Sequence, residues 1–543
     1  MNIYSFKEKL SKITPTNKNP IYNSHLYWSQ KPYNITDLLI SEFTEEGEYV
    51  FDPFMGSGVS LLEAVKLNRK GLGVEINELP IFIVKTLLTE FNNLNEIKSF
   101  LGKFEEYIQN LRSYYKTLDP NLDNWVEIKK VVFDRETPFS EPLIKNIYYS
   151  SKNSRKNIIK IPDLFDINQY FQTPNYNHID TFIMHQNSRL GVQKNQDVST
   201  LFTPRALKVI DDVLEYEKNL KNKKLKNIIK YILMSSLHLI KITDLKSNSQ
   251  WPLWTPKINC VEKNAIDIIQ RRIWMLFNAF KNIHEEFKQP IKEAKNFTDL
   301  STSDYLIFNK PIQNINNSNL PDNSVDLVIT DPPYLGQVLY SEYMQLYYPF
   351  FKFNFDLENE IVISNGSNRK KDETSYFDLL DLSFTNITKK LKKGKIMCLY
   401  FHDSNLNVWD KLIKITQKNG LHFIGQAHIH KKLTLKNILS PKKSLQGDSI
   451  LFFINEKYKY KYNNKNETIQ EIVENIVRHI IFEIEKKGPL TTTQLMDEGL
   501  MEYIIQNNWL PTLAVNYKNI IDVFEQYITW DASIGKWIGH NND

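Results

Sequence analysis

Cysteine is nearly absent. Two residues in 543, Cys260 and Cys398, sit in unrelated apolar contexts without metal-type spacing. That argues against a disulfide framework or a zinc site and suits a reducing compartment. Also missing is any run of about 18 apolar residues, the length a membrane-spanning helix needs, and Met1 to Lys7 lacks the apolar core of a signal peptide. These absences predict a soluble, cytoplasmic protein with no membrane partner and no metal. Charge of one sign is scarce too: 68 Lys and Arg against 63 Asp and Glu leave a net charge of +5. Such a balance permits a nucleic-acid partner, but only through clustered charge.

What is present is ample material for folded cores, with 41% hydrophobic residues and 13% aromatic. The length suits two to four domains. Residues 1–80 read as helix, strand, glycine turn, helix, strand: Glu48–Phe51 is a short apolar strand, Val59–Leu67 carries helix formers, and Gly71–Ile76 is the next strand. This βαβ order builds a doubly wound parallel sheet. Residues 81–310 change texture, with long helical patterns over Leu207–Lys241 and Glu262–Phe287. The α/β pattern returns over 311–456, where Val325–Thr330, Ile396–Phe401 and Ser449–Ile454 read as buried strands. The Lys/Tyr-rich segment Lys457–Tyr462 looks like a linker. In 466–543, a helix over Thr468–Lys487 stops at Gly488-Pro489, and Thr491 to Gln494 fits a capping box. That pattern is compatible with a small winged-helix unit.

Two short motifs carry chemistry. In Phe51-Asp52-Pro53-Phe54-Met55-Gly56-Ser57-Gly58, Gly56 and Gly58 let backbone approach a ligand closely, since glycine has no Cβ to obstruct it. Asp52 can receive an ammonium, and Glu75, closing the second strand, can accept ribose hydroxyls. Far downstream, Asp331-Pro332-Pro333-Tyr334 follows an apolar strand, at the edge where open α/β sheets bind ligands. Its prolines restrict φ, so an acceptor on Asp331 and the Pro332 carbonyl are preorganised. Two such acceptors aimed at the N–H groups of an exocyclic base amine pull its lone pair out of conjugation. Tyr334 can stack on the base.

The order His25 to Pro32, then Val50 to Gly58, then Gly71 to Ile76, followed by Asp331 to Tyr334, resembles the amino-group DNA methyltransferases. These move a methyl from S-adenosyl-L-methionine to adenine N6 or cytosine N4. The resemblance covers the first 80 residues and roughly 311–455. It implies an α/β fold, a Rossmann-like methyltransferase sheet with a large mainly helical insertion and a winged-helix-like C-terminal unit. It also implies that Lys31 and Pro32 flank the methionine end of the cofactor and that Phe54 walls the pocket. Asn316-Asn317-Ser318 stands where the family often has Gly-Asp and a small residue. This departure puts the usual adenine-ring contact in doubt and leaves Asn317 as the candidate for it.

An Asp-first tetrapeptide accompanies adenine more often than cytosine in the family, so Asp331 favours N6, with N4 as the alternative. Double-stranded DNA with a flipped base is the implied substrate. A restriction-modification or defence system in a prokaryote or phage is the implied setting, and a cognate restriction endonuclease the implied partner. No acid-acid-lysine nuclease pattern stands out, so this chain is not expected to cut DNA.

The insertion lies where one subgroup has its target-recognition region. Its clusters Lys152–Lys156 and Lys221–Lys226 can neutralise phosphates, although a solvated helix face accounts for either one alone. Phe202–Arg205 and Trp251–Trp254 suit packing better than a DNA wall. His428–Lys432 and Ser440–Lys443 are candidate DNA clamps near the catalytic edge. Some transfer RNA amino-methyltransferases pair similar motifs, but they usually carry an RNA-binding domain ahead of the core. A silent DNA-binding regulator is disfavoured by intact Asp331, Tyr334, Gly56 and Glu75.

Overall fold

Val325-Asp326-Leu327-Val328-Ile329-Thr330 is buried along its whole length, the pattern of a strand covered on both faces. Leu327 and Ile329 pack with Ile35, Leu39 and Phe43 on one side. Val325 and Val328 pack with Phe384, Trp409 and Ile476 on the other. In a computed structural model, this strand is central to a seven-stranded sheet. The structure describes residues 3–539 apart from 92, 121–123, 138–139, 151–156, 173, 246–253, 256–257, 336–337, 367–368, 370, 402, 430–441, 443–446 and 457–466, and only the backbone of 497–498. The Lys152–Lys156 cluster, Trp251–Leu253, His430–Lys432, Ser440, Pro441, Lys443 and the Lys457–Tyr462 segment lie outside the described residues.

The sheet strands are β1 (Tyr49–Asp52), β2 (Lys70–Glu75), β3 (Tyr305–Asn309), β4 (Val325–Thr330), β5 (Leu391–Phe401), β6 (Leu421–Ile429) and β7 (Asp448–Asn455). Their spatial order is β6-β7-β5-β4-β1-β2-β3. All neighbours are parallel except β7, which runs antiparallel to both β5 and β6. This is the Rossmann-like α/β sheet that the two motifs imply. The strand order turns back at β1 and β4, so their carboxyl ends frame the switch-point crevice. A single antiparallel strand has a second effect: the first residue of β7 arrives at the carboxyl edge of its neighbours.

The chain leaves the sheet after the helix Glu78–Leu87 and returns at β3. The catalytic half therefore resumes before residue 311. The long helical patterns are found as Pro204–Asn219, Lys223–Ile240 and Ala265–Glu286, the first pair broken by the Asn222 cap. The insertion holds more strand than those patterns suggested: a six-stranded antiparallel sheet includes Asn124–Asp134, Leu143–Tyr149 and Asn259–Lys263. Its register shifts between Ile128 and Lys130 and between Val132 and Phe133. Such bulges break the period-two alternation by which a strand is read. Phe202 is buried, and Arg205 forms a buried ion pair with Glu262, so this segment is packing.

In the carboxy-terminal unit, the helix Ile469–Lys487, short helices from Thr492 to Phe524 and a hairpin of Thr529–Asp531 with Lys536–Ile538 follow in turn. A bridge from Leu490 to Trp537 closes the hairpin onto the helices. Its core is continuous with one face of the main sheet. Among the described residues no helix is long and apolar enough to cross a membrane.

On the opposite face, Phe452 is fully buried between Phe6 and Phe43. Phe452→Ala should cost about 3–5 kcal/mol of stability, read as a lowered thermal midpoint.

Candidate active site

The carboxyl ends of β1, β2 and β4 open into a cleft of about 910 Å³. The turn after β1 is held from two sides. Met55 N donates to Val74 O at 3.0 Å, and Phe54 N donates to the Asp52 carboxylate at 3.1 Å. Gly56 has φ +51°, and a Cβ there would stand 2.9 Å from the Tyr27 ring. The backbone thus fits against an aromatic wall that only glycine permits. Gly58 (φ +80°) does not line the cleft; a Cβ there would meet Val84 at 2.3 Å. It lets the start of the helix Val59–Lys66 approach the helix Glu78–Leu87 closely.

Asp52, Phe54, Gly56, Glu75, Lys31, Asp331 and Pro333 all line the cleft. Glu75 accepts from Gly56 N at 3.0 Å and from Asn77 N at 2.9 Å. Burial nevertheless pushes its carboxyl up to about 7. Burial does the same to Asp52, also to about 7, against the hydrogen bonds from Ser60 and Phe54. Two carboxylates held short of full ionisation suit a ligand that brings positive charge and hydroxyl donors.

Asp331 closes β4. One oxygen, Oδ2, is 3.0 Å from Lys31 Nζ; the other, Oδ1, is buried without a hydrogen-bond partner. Burial raises the Asp331 carboxyl above its ordinary range, against the lowering effect of Lys31. Lys31 Nζ also donates to Tyr334 OH at 2.9 Å and to Asp448 Oδ2 at 3.2 Å. An ammonium has three donors, so all three are committed to the loop after β4 and to β7.

Besides Gly58, four expected residues, Pro32, Asn317, Pro332 and Tyr334, are not among those lining the cleft. Pro32 opens the helix Tyr33–Phe43, its carbonyl accepting from Thr36 N. Asn317 lies off the cleft, its Oδ1 accepting from Asp322 N at 2.7 Å. Tyr334 sits behind Asp331, tied to Lys31, while Pro333 O accepts from Tyr376 OH at 2.7 Å. The cleft instead takes Ile312 and Gln313 ahead of β4, and Tyr340, Asn359, Glu360 and Ile361 beyond it. Tyr340 stacks on Tyr27 at 5.7 Å. No motif marks these residues, because they reach the cleft from loops of irregular spacing.

Strand order and cleft are those of a Rossmann-like α/β fold with its site at the switch point, and S-adenosylmethionine is the expected cofactor. Comparison with known proteins narrows the class. A family described as DNA methylase matches residues 2–85. The type II methyltransferase M.MjaII of Methanocaldococcus jannaschii is 20% identical over 438 residues, covering 75% of this chain and 76% of the relative. M.HindIII of Haemophilus influenzae is 51% identical over 49 residues, 9% of this chain and 16% of that protein. M.HpaI of Haemophilus parainfluenzae is 39% identical over 70 residues, 13% and 22% respectively. The chain is thus similar to DNA methylases over residues 2–85 and to type II DNA methyltransferases over most of its length.

The residues present fit the cofactor: glycine backbone faces the cleft at Gly56, and two carboxylates converge on it. Gly56→Val should weaken S-adenosylmethionine binding at least tenfold by titration calorimetry, as a branched side chain meets both positive φ and the Tyr27 ring. The sign for Asp52 follows from its raised value. Its contribution to stability is fully present below the unfolded carboxyl range and is lost as pH rises through about 7. Asp52→Asn should therefore flatten the fall of the unliganded thermal midpoint between about pH 4 and about 7.

Proposed function

We propose that this protein methylates an exocyclic amine in double-stranded DNA, at adenine N6 in preference to cytosine N4. The observation that carries the reading is the Asp331 carboxylate at the cleft, with Oδ2 engaged by Lys31 and Oδ1 buried without a hydrogen-bond partner. A flipped base amine offers two N–H groups. In this reading Asp331 Oδ1 accepts one and the Pro332 carbonyl the other, which aims the nitrogen lone pair. Bound S-adenosylmethionine supplies the electrophilic methyl group. Asp52 receives the cofactor ammonium, Glu75 the ribose hydroxyls, and Phe54 with Tyr27 the flanking apolar surface.

The insertion, from the end of the Glu78–Leu87 helix to β3, is assigned target recognition. Lys223, Lys224 and Lys226 at the exposed start of one of its helices are candidate phosphate contacts. The carboxy-terminal unit is assigned a winged-helix role beside the core. The Asp-first tetrapeptide favours adenine. The relatives' type II character favours a cytoplasmic restriction-modification setting with a cognate endonuclease.

Single-molecule sequencing of DNA from a methylation-free host expressing the protein should reveal one modified motif carrying N6-methyladenine. Asp331→Ala should abolish that signal while S-adenosylmethionine affinity stays within a few-fold. Unmodified DNA from a well-expressed wild-type protein would overturn the assignment. Because burial raises Asp331, the methylation rate should fall on the acid side through a midpoint above the ordinary carboxylate range, as the acceptor becomes protonated.

A further inference from the structure

Lys31 is enclosed by three acceptors from two separate parts of the chain. Asp331 and Tyr334 come from the loop after β4, and Asp448 is the first residue of β7. The rings of Tyr334 and Tyr400 stand 5.1 Å from its ammonium. Lysine and both carboxylates are well withdrawn from solvent, at 11%, 19% and 13% side-chain exposure. We infer that Asp448 is a positioning residue of the methyl-transfer site: through Lys31 it fixes the Asp331 carboxylate so that Oδ1 stays available to the target amine. The inference rests on the functional reading above and adds to it a residue that lies outside both motifs.

The argument is geometric. A lysine ammonium has three hydrogens, and three acceptors at 3.0, 2.9 and 3.2 Å account for them all. If Asp448 were neutral or shortened, one hydrogen of Lys31 would lose its acceptor inside a buried site. The nearest remedy is for Lys31 to turn onto the other oxygen of Asp331, a buried acceptor without a partner. A two-point lysine contact would then occupy the oxygen that the amine requires. Asp448 holds the third hydrogen away. Only the antiparallel direction of β7 makes this possible, because a parallel strand would place its first residue at the opposite edge of the sheet. The pairing of Ile450 with Tyr400 and Ser449 with Phe401 sets the register that brings Asp448 level with the end of β5.

The test is single-turnover methylation of a DNA duplex carrying the motif that the wild-type protein modifies. Asp448→Asn should slow transfer by about 10- to 100-fold, with S-adenosylmethionine and duplex affinities within about threefold of wild type. Asp448→Glu, which keeps the charge, should recover much of the rate. Asp448→Ser is a second uncharged variant, of which the same loss is expected should the asparagine variant fail to fold. A double variant with Lys31→Met should be no slower than Lys31→Met alone, since the two side chains act through one contact.

The pH profile supplies a readout that a merely structural role would not move. The groups facing Asp331 are Lys31, Tyr334 and Asp448, with Asp52, Tyr27 and Tyr340 across the cleft. Removing the negative charge of Asp448 should shift the acid limb to lower pH even as the plateau falls. A wild-type rate and an unshifted limb in Asp448→Asn, with Asp331→Ala inactive, would overturn the inference and leave the functional reading intact. A wild-type protein that transfers no methyl group to DNA would bring down both.

Discussion

The pairing of β1 with β4, Val50 against Leu327 and Phe51 against Val328, is the contact on which the site depends. The two strands are far apart in sequence and adjacent in space. Their carboxyl ends deliver Asp52 and Asp331 to one crevice. Both strands are buried on both faces, and the sheet is clamped between helices by two apolar layers. The backbone ladder fixes the separation of the two loops, so the glycine turn and the Asp331 loop are set relative to one another before any ligand arrives.

Around that crevice the charges are unbalanced in one direction. Asp52, Glu75, Glu360, Asp331 and Asp448 gather there, with Lys31 and, behind Glu360, Arg369 as cations. Burial makes each unshared carboxylate costly, which is why Asp52 and Glu75 are held near half-ionisation at neutral pH. A cationic cofactor relieves that cost, so the acidic excess amounts to a selectivity device for positive charge. Lys31 is withheld from this role because its hydrogens are engaged within the protein.

The βαβ unit, the strand before Asp331 and the helices of the insertion were legible because apolar runs and helical spacing are local signals. The cofactor turn was legible for the same reason: glycine spacing reports backbone geometry directly. The strands of the insertion were not. In Asn124–Asp134, lysines alternate irregularly with Ile128, Val131, Val132 and Phe133, and two bulges spoil the period. Asn317 occupied the expected place in the sequence but is not among the residues lining the cleft, while Gln313, four residues earlier, is. Short irregular turns between helix and strand do not announce which side chain points inward.

By itself the sequence determined the class of chemistry. The Asp-Pro-Pro-Tyr loop and the glycine turn specify backbone shapes and functional groups within a few residues, and local shape needs no distant partner. The tertiary structure decided which groups cooperate. It assigned Lys31 to the catalytic loop, turned Pro32 into a helix start, left one oxygen of Asp331 open and brought Asp448 to the same edge. Those outcomes depend on strand order and direction, above all the reversal at β7, and nonlocal pairing of that kind leaves no periodic trace along the chain.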